Sequence, residues 1–93
     1  MIRVNRPVFS PGTILATPNA LDQVPQHEMR QALARHVAGD RGDCCPEDAE
    51  ANDAALKSGK RLLSVYHTAD RIKFWIITVA DRSATNILLP EDY

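Results

Sequence analysis

The fold is decided by two apolar segments, RLLSVYH at residues 61–67 and IKFWIITV at residues 72–79. Both are rich in β-branched and aromatic residues, and only four residues separate them, so they predict a β-hairpin. A third segment of the same kind, at residues 85–89, ends at Pro90 and follows a polar loop. Together the three segments predict an antiparallel meander.

The central segment carries large apolar side chains on both faces of its strand. Alternation places Ile72, Phe74 and Ile76 on one face and Lys73, Trp75 and Ile77 on the other. One face is expected to pack on helices. The other is either half covered by the N-terminal segment or open to a partner, which leaves Trp75 either in the core or on a binding surface.

Upstream of the hairpin the spacing becomes helical. Thr17 before Pro18 predicts the cap of a short helical turn. Apolar residues at helical spacing then predict a helix over residues 26–38, which Gly39 ends, and the acidic start of residues 46–58 predicts a second helix, which Gly59 ends.

The remaining upstream residues precede these helices. The short apolar run at residues 13–16 predicts a brief strand, and residues 1–12, with two prolines, predict an extended arm. The expected fold is therefore one α+β domain over residues 13–93: a short N-terminal strand, two helices, and a three-stranded antiparallel meander packed on the helices.

Composition narrows the class of function. The chain has 93 residues, 44% of them hydrophobic and 25% charged, as in ordinary globular domains. Its net charge of −1 argues against a simple nucleic-acid binder. That value hides an acidic stretch at 40–53 and a basic stretch at 57–82, which either pair with each other or face different partners. A protein partner is favoured over nucleic acid, and a homodimer stays open.

The chain shows no membrane-spanning or export signal. It has no apolar run of about 20 residues and no signal-peptide core near its first residue, so we expect a cytoplasmic protein without a membrane partner. Its only cysteines, Cys44 and Cys45, are adjacent and poorly placed to bridge. With His36 they offer metal-ligand types, but adjacent cysteines rarely reach one ion, so no metal or cofactor is expected.

Few residues in the sequence are candidates for catalysis or ligand binding. His36, near the end of the first long helix, suits either a charged structural role at the negative helix end or acid–base work together with His67. The loop at 81–85 carries Arg82, Ser83 and Thr85, which suit either phosphate binding or a polar turn. No phosphate loop, dinucleotide fingerprint or nucleophile elbow occurs, so a non-enzyme is favoured.

Several segments resemble a known family. They are ATPNAL at 16–21, LARH at 33–36, NDAAL at 52–56, WIIT at 75–78, ADRSAT at 80–85 and ILLPEDY at 87–93. They are similar to a family of small uncharacterised bacterial proteins often carried on plasmids, prophages and other mobile genetic elements. The resemblance covers residues 13–93. It departs from the family at Arg41, where a tryptophan is expected, and at Val79, where an acid is expected.

This resemblance implies a non-enzymatic protein-interaction factor from a mobile genetic element. Anti-defence action, as an anti-CRISPR or antirestriction protein that occludes a partner surface, fits such an origin. The residues expected to bind the partner are Trp75, Lys73, Arg82, Asp40, Glu47 and Asp48.

The predicted order of elements is also similar to that of RelE-type and barnase-like small RNases. This likeness implies the alternative of a metal-independent RNase, with His67, Arg82, Ser83 and Thr85 as its catalytic residues. Ribosome-directed RNases of this kind are usually strongly basic, which this chain is not. A third hypothesis is a nucleic-acid-binding regulator that uses the sheet and Trp75.

Overall fold

A computed structural model describes residues 9–43, 54 and 59–93 and shows an α+β fold. Its elements, in chain order, are β1 (Thr13–Ala16), α1 (Pro18–Gln23), α2 (Gln26–Val37), β2 (Leu62–His67), β3 (Lys73–Thr78) and β4 (Ala84–Leu88), followed by a 3₁₀ turn at Pro90–Asp92. The helix expected over residues 46–58 lies, apart from Ala54, outside the described residues.

The sheet has four strands in the order β1-β4-β3-β2. β2 pairs with β3, and β3 with β4, in antiparallel fashion, whereas β1 lies parallel to β4. The sheet is therefore mixed, and the prediction of a three-stranded antiparallel sheet is wrong in strand count and order. β1 is too short to be stable alone and forms its hydrogen bonds with β4, a strand far along the chain, so no local turn signal predicts the pairing.

The hairpin of β2 and β3 is confirmed. Its register runs from Leu62 opposite Thr78 to His67 opposite Lys73. At the turn, the backbone N–H of Arg71 donates to the carbonyl of Thr68 at 2.8 Å. Strand alternation turns one face of this hairpin toward the helices.

The core lies between that sheet face and the two helices. It comprises Ala20, Val24, Met29 and Ala32 from the helical layer and Tyr66, Phe74, Ile76, Ile87 and Leu89 from the sheet and the residue after it. All nine are buried. The helices thus cover the face on which Phe74 and Ile76 lie.

The start of α1 is held by its own cap residue and by a side chain of the C-terminal turn. Thr17 caps the helix, since its Oγ1 accepts from the backbone N–H of Ala20 at 3.1 Å, and Pro18 opens it. Asp92 of the final turn accepts from Thr17 Oγ1 and from Asn19 Nδ2, each at 2.7 Å. The predicted cap is confirmed, and it also anchors the C-terminal turn.

The segment after α2 runs along the outer edge of β2. Gly42 forms a parallel bridge with Val65, and the N–H of Asp43 donates to the Val65 carbonyl at 2.7 Å. Gly42 has a φ of +66°. A Cβ at this position would collide with the Val65 carbonyl and with the ring of Tyr66.

We expect Gly42→Ala to destabilise the protein more than Gly59→Ala. Both glycines have positive φ, which costs an alanine about 1–2 kcal/mol, but a Cβ at Gly59 would meet open space. The collision at Gly42 adds a penalty of the overpacking kind, about 1–3 kcal/mol. Urea unfolding of the two variants measures the difference, and equal losses of unfolding free energy would contradict this account of the bridge.

Candidate functional site

Four polar side chains meet at the centre of the fold. His36 comes from α2, and Ser64, Thr78 and Thr85 come from β2, β3 and β4, on the face that the helices cover. All four are 0% exposed. Because water does not reach them, each hydroxyl and each ring nitrogen needs a partner inside the protein.

The partners form a chain with one direction. Thr85 Oγ1 donates its only proton to the carbonyl of Pro11 at 2.7 Å, so it accepts from Thr78 Oγ1 at 2.7 Å. Thr78 therefore accepts from His36 Nε2 at 2.8 Å. Arg41 Nη1, which can only donate, lies 3.4 Å from His36 Nδ1, so Nδ1 is an acceptor and also accepts from Ser64 Oγ at 2.6 Å. This order fixes the Nε2–H tautomer and a neutral imidazole.

The surroundings of His36 also disfavour its charged form. The ring of Phe9 stands edge-on to the imidazole at 5.4 Å, and Arg41 donates to the His36 carbonyl at 3.3 Å and to Ser64 Oγ at 3.4 Å. Burial, together with the charges of Arg41 and Arg82, lowers the pKa of His36 to about 3. The predicted role as a cation at the helix end is therefore wrong, and the ring is sealed away from any substrate in solution.

We expect this pKa to make stability depend on pH. The pKa of His36 falls from an ordinary 6.5 to about 3 on folding, so its contribution is fully present above pH 6.5 and is lost as pH drops toward 3. Each unit of pKa difference between the unfolded and folded states contributes about 1.4 kcal/mol to the free energy of unfolding. Unfolding free energies at pH 7, 6, 5 and 4 should decline steadily, and NMR should show no titration of the His36 ring above pH 5. A His36 ring that titrates near pH 6.5 in the folded protein would contradict the burial argument.

His67 lies in a different place, at the exposed end of β2. Its Nδ1 is 2.7 Å from Asp43 Oδ2, and its side chain is 41% exposed. It lines a cleft of about 90 Å³ between α2 and β2, together with Glu28, Gln31, Arg35 and Tyr66. The structure thus gives His67 a carboxylate partner that the sequence analysis did not assign.

Arg35, a cationic side chain that lines this cleft, forms an ion pair with Asp40. Arg35 donates to both carboxylate oxygens of Asp40, at 2.8 and 3.3 Å, and its guanidinium lies 4.9 Å from the centre of the Tyr66 ring. The hydrogen bond from Arg35 lowers the pKa of Asp40. Asp40, predicted to bind a partner, is exposed and holds the turn after α2, where it also accepts from the Gly42 N–H.

The loop before β4 lies at the opposite end of the sheet from His67. Arg82, at a φ of +63°, donates to the carbonyls of Lys60 at 2.6 Å and of Val79 and Ala80 at 3.2 Å. The N–H of Ser83 donates to Asp81 at 2.9 Å. These bonds are those of a structured polar turn.

The four residues assigned to an RNase site are therefore not brought together. His67 pairs with Lys73 and Thr85 with Thr78, at opposite ends of β3 and about 16 Å apart at the ordinary rise of a strand. Thr85 is buried, and its hydroxyl belongs to the His36 chain. Arg82 and Ser83 are close to Thr85 in the sequence, but His67 lies at the other end of β3.

Of the other residues predicted to bind a partner, Lys73 and Trp75 lie on one face of β3. Trp75 is half-buried, with its ring 5.4 Å from that of Tyr93. Lys73 is exposed at the beginning of β3. Glu47 and Asp48 lie outside the described residues, as do both cysteines. Within the described part of the chain, Arg82 follows the opposite end of β3 from Lys73.

Two exposed apolar features escaped the sequence analysis. A groove of about 320 Å³ between α1 and α2 is lined by Leu21, Val24, Gln26 and Met29, and Leu21 at its rim is 64% exposed. Ile14 and Leu15 of β1 are 41% and 50% exposed. The signal for the groove lay in the two prolines, Pro18 and Pro25, which confine α1 to six residues and leave Leu21 on its outer side.

Comparisons of the chain with protein-family models, with curated proteins and with solved structures find no match. The resemblance to mobile-element proteins therefore stays a prediction. No helix within the described ranges has the length and apolarity to cross a membrane. Among residues 9–43, 54 and 59–93, no three His, Cys, Asp or Glu side chains are grouped as metal ligands.

Proposed function

We propose that this protein is a non-enzymatic binding factor that takes up apolar side chains of a protein partner in the groove between α1 and α2. The observation that carries the proposal is the exposed Leu21 at the rim of a groove whose floor is formed by the buried Val24 and Met29. A partner that covers this side chain removes apolar area from water, which favours binding.

The groove fits side chains rather than a large ligand. Its volume of about 320 Å³ lies at the lower limit of small-molecule sites, which begin at about 300 Å³. Burying one Leu, Met or Phe of a partner there is worth about 1.5–3 kcal/mol. Gln26 adds an amide at the edge, which can donate to or accept from the partner backbone.

Two features of the sequence support a protein partner. The near-neutral net charge favours a protein over nucleic acid. The resemblance to plasmid- and prophage-associated proteins makes a host defence complex, of the CRISPR or restriction type, the partner to test first. The protein would act on such a complex by occluding its surface.

Leu21→Glu should weaken binding of the defence complex while the fold survives. The substitution places a charge at the rim of the groove, and Leu21 itself is mostly exposed. Gln23→Glu is the matched control, because it adds the same charge to the same helix outside the groove. The measurements are phage plaquing on cells that carry a defined defence system, and co-elution with that purified defence complex.

We expect the wild type and Gln23→Glu to restore plaquing and to co-elute stoichiometrically. Leu21→Glu should lose at least tenfold in affinity, the equivalent of about 1.4 kcal/mol. Equal binding by the wild type and by Leu21→Glu would overturn the assignment of the groove. If the protein binds none of the CRISPR and restriction complexes, the anti-defence proposal fails.

A second candidate function rests on the Asp43–His67 pair. A carboxylate that accepts from Nδ1–H directs Nε2 outward as a base. In metal-independent RNA cleavage, such a base takes the 2′-OH proton, the 2′-oxygen bonds to phosphorus, and the bond to the 5′-oxygen breaks as that oxygen takes a proton from water. The protonated base then returns its proton to the solvent. The products are a 2′,3′-cyclic phosphate and a 5′-hydroxyl.

If this site cleaves RNA, His67→Ala should reduce the rate by about 10²–10⁴-fold, the usual contribution of general acid–base catalysis. Asp43→Asn should also slow it, whereas Arg82→Ala and the exposed-histidine control His27→Ala should not, because both lie outside the cleft. The measurement is the rate of oligonucleotide cleavage in the presence of EDTA. Intact RNA with the wild type, or equal rates for wild type and His67→Ala, would eliminate this candidate.

A further inference from the structure

β1 forms one edge of the sheet, with its hydrogen-bonding groups alternating between two sides. The N–H groups of Thr13 and Thr17 donate inward, to the carbonyls of Ser83 at 2.9 Å and Ile87 at 3.0 Å. The N–H and C=O groups of the intervening Ile14 and Ala16 therefore point away from β4. Within the described part of the chain, no strand pairs with this outer side.

The composition of β1 has nothing that blocks pairing at this edge. Natural edge strands are protected by a very short length, by a charge or by an internal proline. β1 is short, but the segment TILAT at residues 13–17 has neither a charge nor a proline. Its two large side chains, Ile14 and Leu15, are instead exposed on opposite faces of the strand, at 41% and 50%.

We propose that this edge binds a second copy of the chain, by antiparallel pairing of β1 with β1 about a two-fold axis at Leu15. The two sheets then continue into one. The proposal is independent of the groove between α1 and α2, because it uses a different element and different side chains.

The two-fold at Leu15 follows from backbone geometry. It places Ile14 opposite Ala16 of the other copy, so that the outward N–H and C=O groups of both residues are paired in each copy. A two-fold at Ile14 would set Gly12 opposite Ala16, but Gly12 has a φ of +66°, outside the strand region. A two-fold at Ala16 would need Pro18, which has no N–H and begins α1.

The same register brings apolar side chains into contact. Leu15 lies directly opposite Leu15 of the other copy on one face, and Ile14 meets Ala16 on the other. No charged residue opposes another, since the segment has none. The paired strand is only four residues long, so the interface falls at the small end of specific interfaces, and we expect a dimer that dissociates in the micromolar range or above.

Cysteine crosslinking tests the register directly. In a Cys44→Ser, Cys45→Ser background, Leu15→Cys should form an interchain disulfide under mild oxidation, because Cα atoms of a directly opposed, non-hydrogen-bonded pair lie about 4.5 Å apart, within disulfide range. Thr13→Cys is the matched control. It is exposed on the same strand and face, but the two copies of Thr13 would be about 13 Å apart along the strand.

We expect Leu15→Cys to crosslink at least tenfold faster than Thr13→Cys at equal protein concentration. Sedimentation equilibrium of the wild type should show a reversible dimer that Leu15→Lys removes and Leu21→Glu retains, which separates this interface from the groove. Equal crosslinking by Thr13→Cys, faster crosslinking by Ile14→Cys, or a wild type that stays monomeric at millimolar concentration would each overturn the proposal.

Discussion

The hydrogen-bond chain through His36 is the constraint on which the rest of this structure depends. A polar group that is buried without a partner costs about 1–3 kcal/mol, and this chain buries three hydroxyls and two ring nitrogens in succession. Each is satisfied only when α2, β2, β3, β4 and the segment at Pro11 are all in place. The chain therefore fixes the rotation of α2 about its axis and the register of three strands at once, which an apolar core of the same size would leave looser.

The same hydrogen-bond chain holds His36, the group whose pKa is shifted most, away from the surfaces available to partners. Perturbed ionisable groups are often taken as markers of active sites, but structural networks perturb them as well. His36 belongs to the second kind, because its ring is buried and both nitrogens are used within the fold. The exposed features, which are the groove at Leu21, the edge at Leu15 and the cleft at His67, all lie outside that network.

Parts of this architecture follow from local pattern. The two-residue period of β2 and β3 predicts their hairpin, and the cap formed by Thr17 and Pro18 predicts the start of α1, because both depend on neighbouring residues. Alternation could also have revealed the polar row, since Ser64 and Thr78 share the inward face with Phe74 and Ile76. No local pattern could show that His36 projects onto that row, because this depends on the rotation of a helix against a distant sheet.

The candidate sites show the same limit. The pairing of Asp43 with His67 and the separation of His67 from Thr85 depend on strand register, which is a long-range property. The groove beneath Leu21 depends on the angle between two short helices. Assigning these residues from sequence grouped them by chemical type, whereas the fold distributes them over opposite ends of β3.

The parallel pairing of β1 with β4 has a consequence for how the molecule is made. β1, near the beginning of the described fold, pairs with β4, near its end, and Asp92, shortly after β4, accepts hydrogen bonds from Thr17 and Asn19 at the start of α1. Loop closure over so much of the chain has to precede the contacts that compensate for it, which slows folding relative to a helical domain of similar size. During synthesis Ile14 and Leu15 are therefore exposed on an unpaired strand until β4 has been made. A chaperone or a neighbouring nascent chain can bind this strand in the meantime.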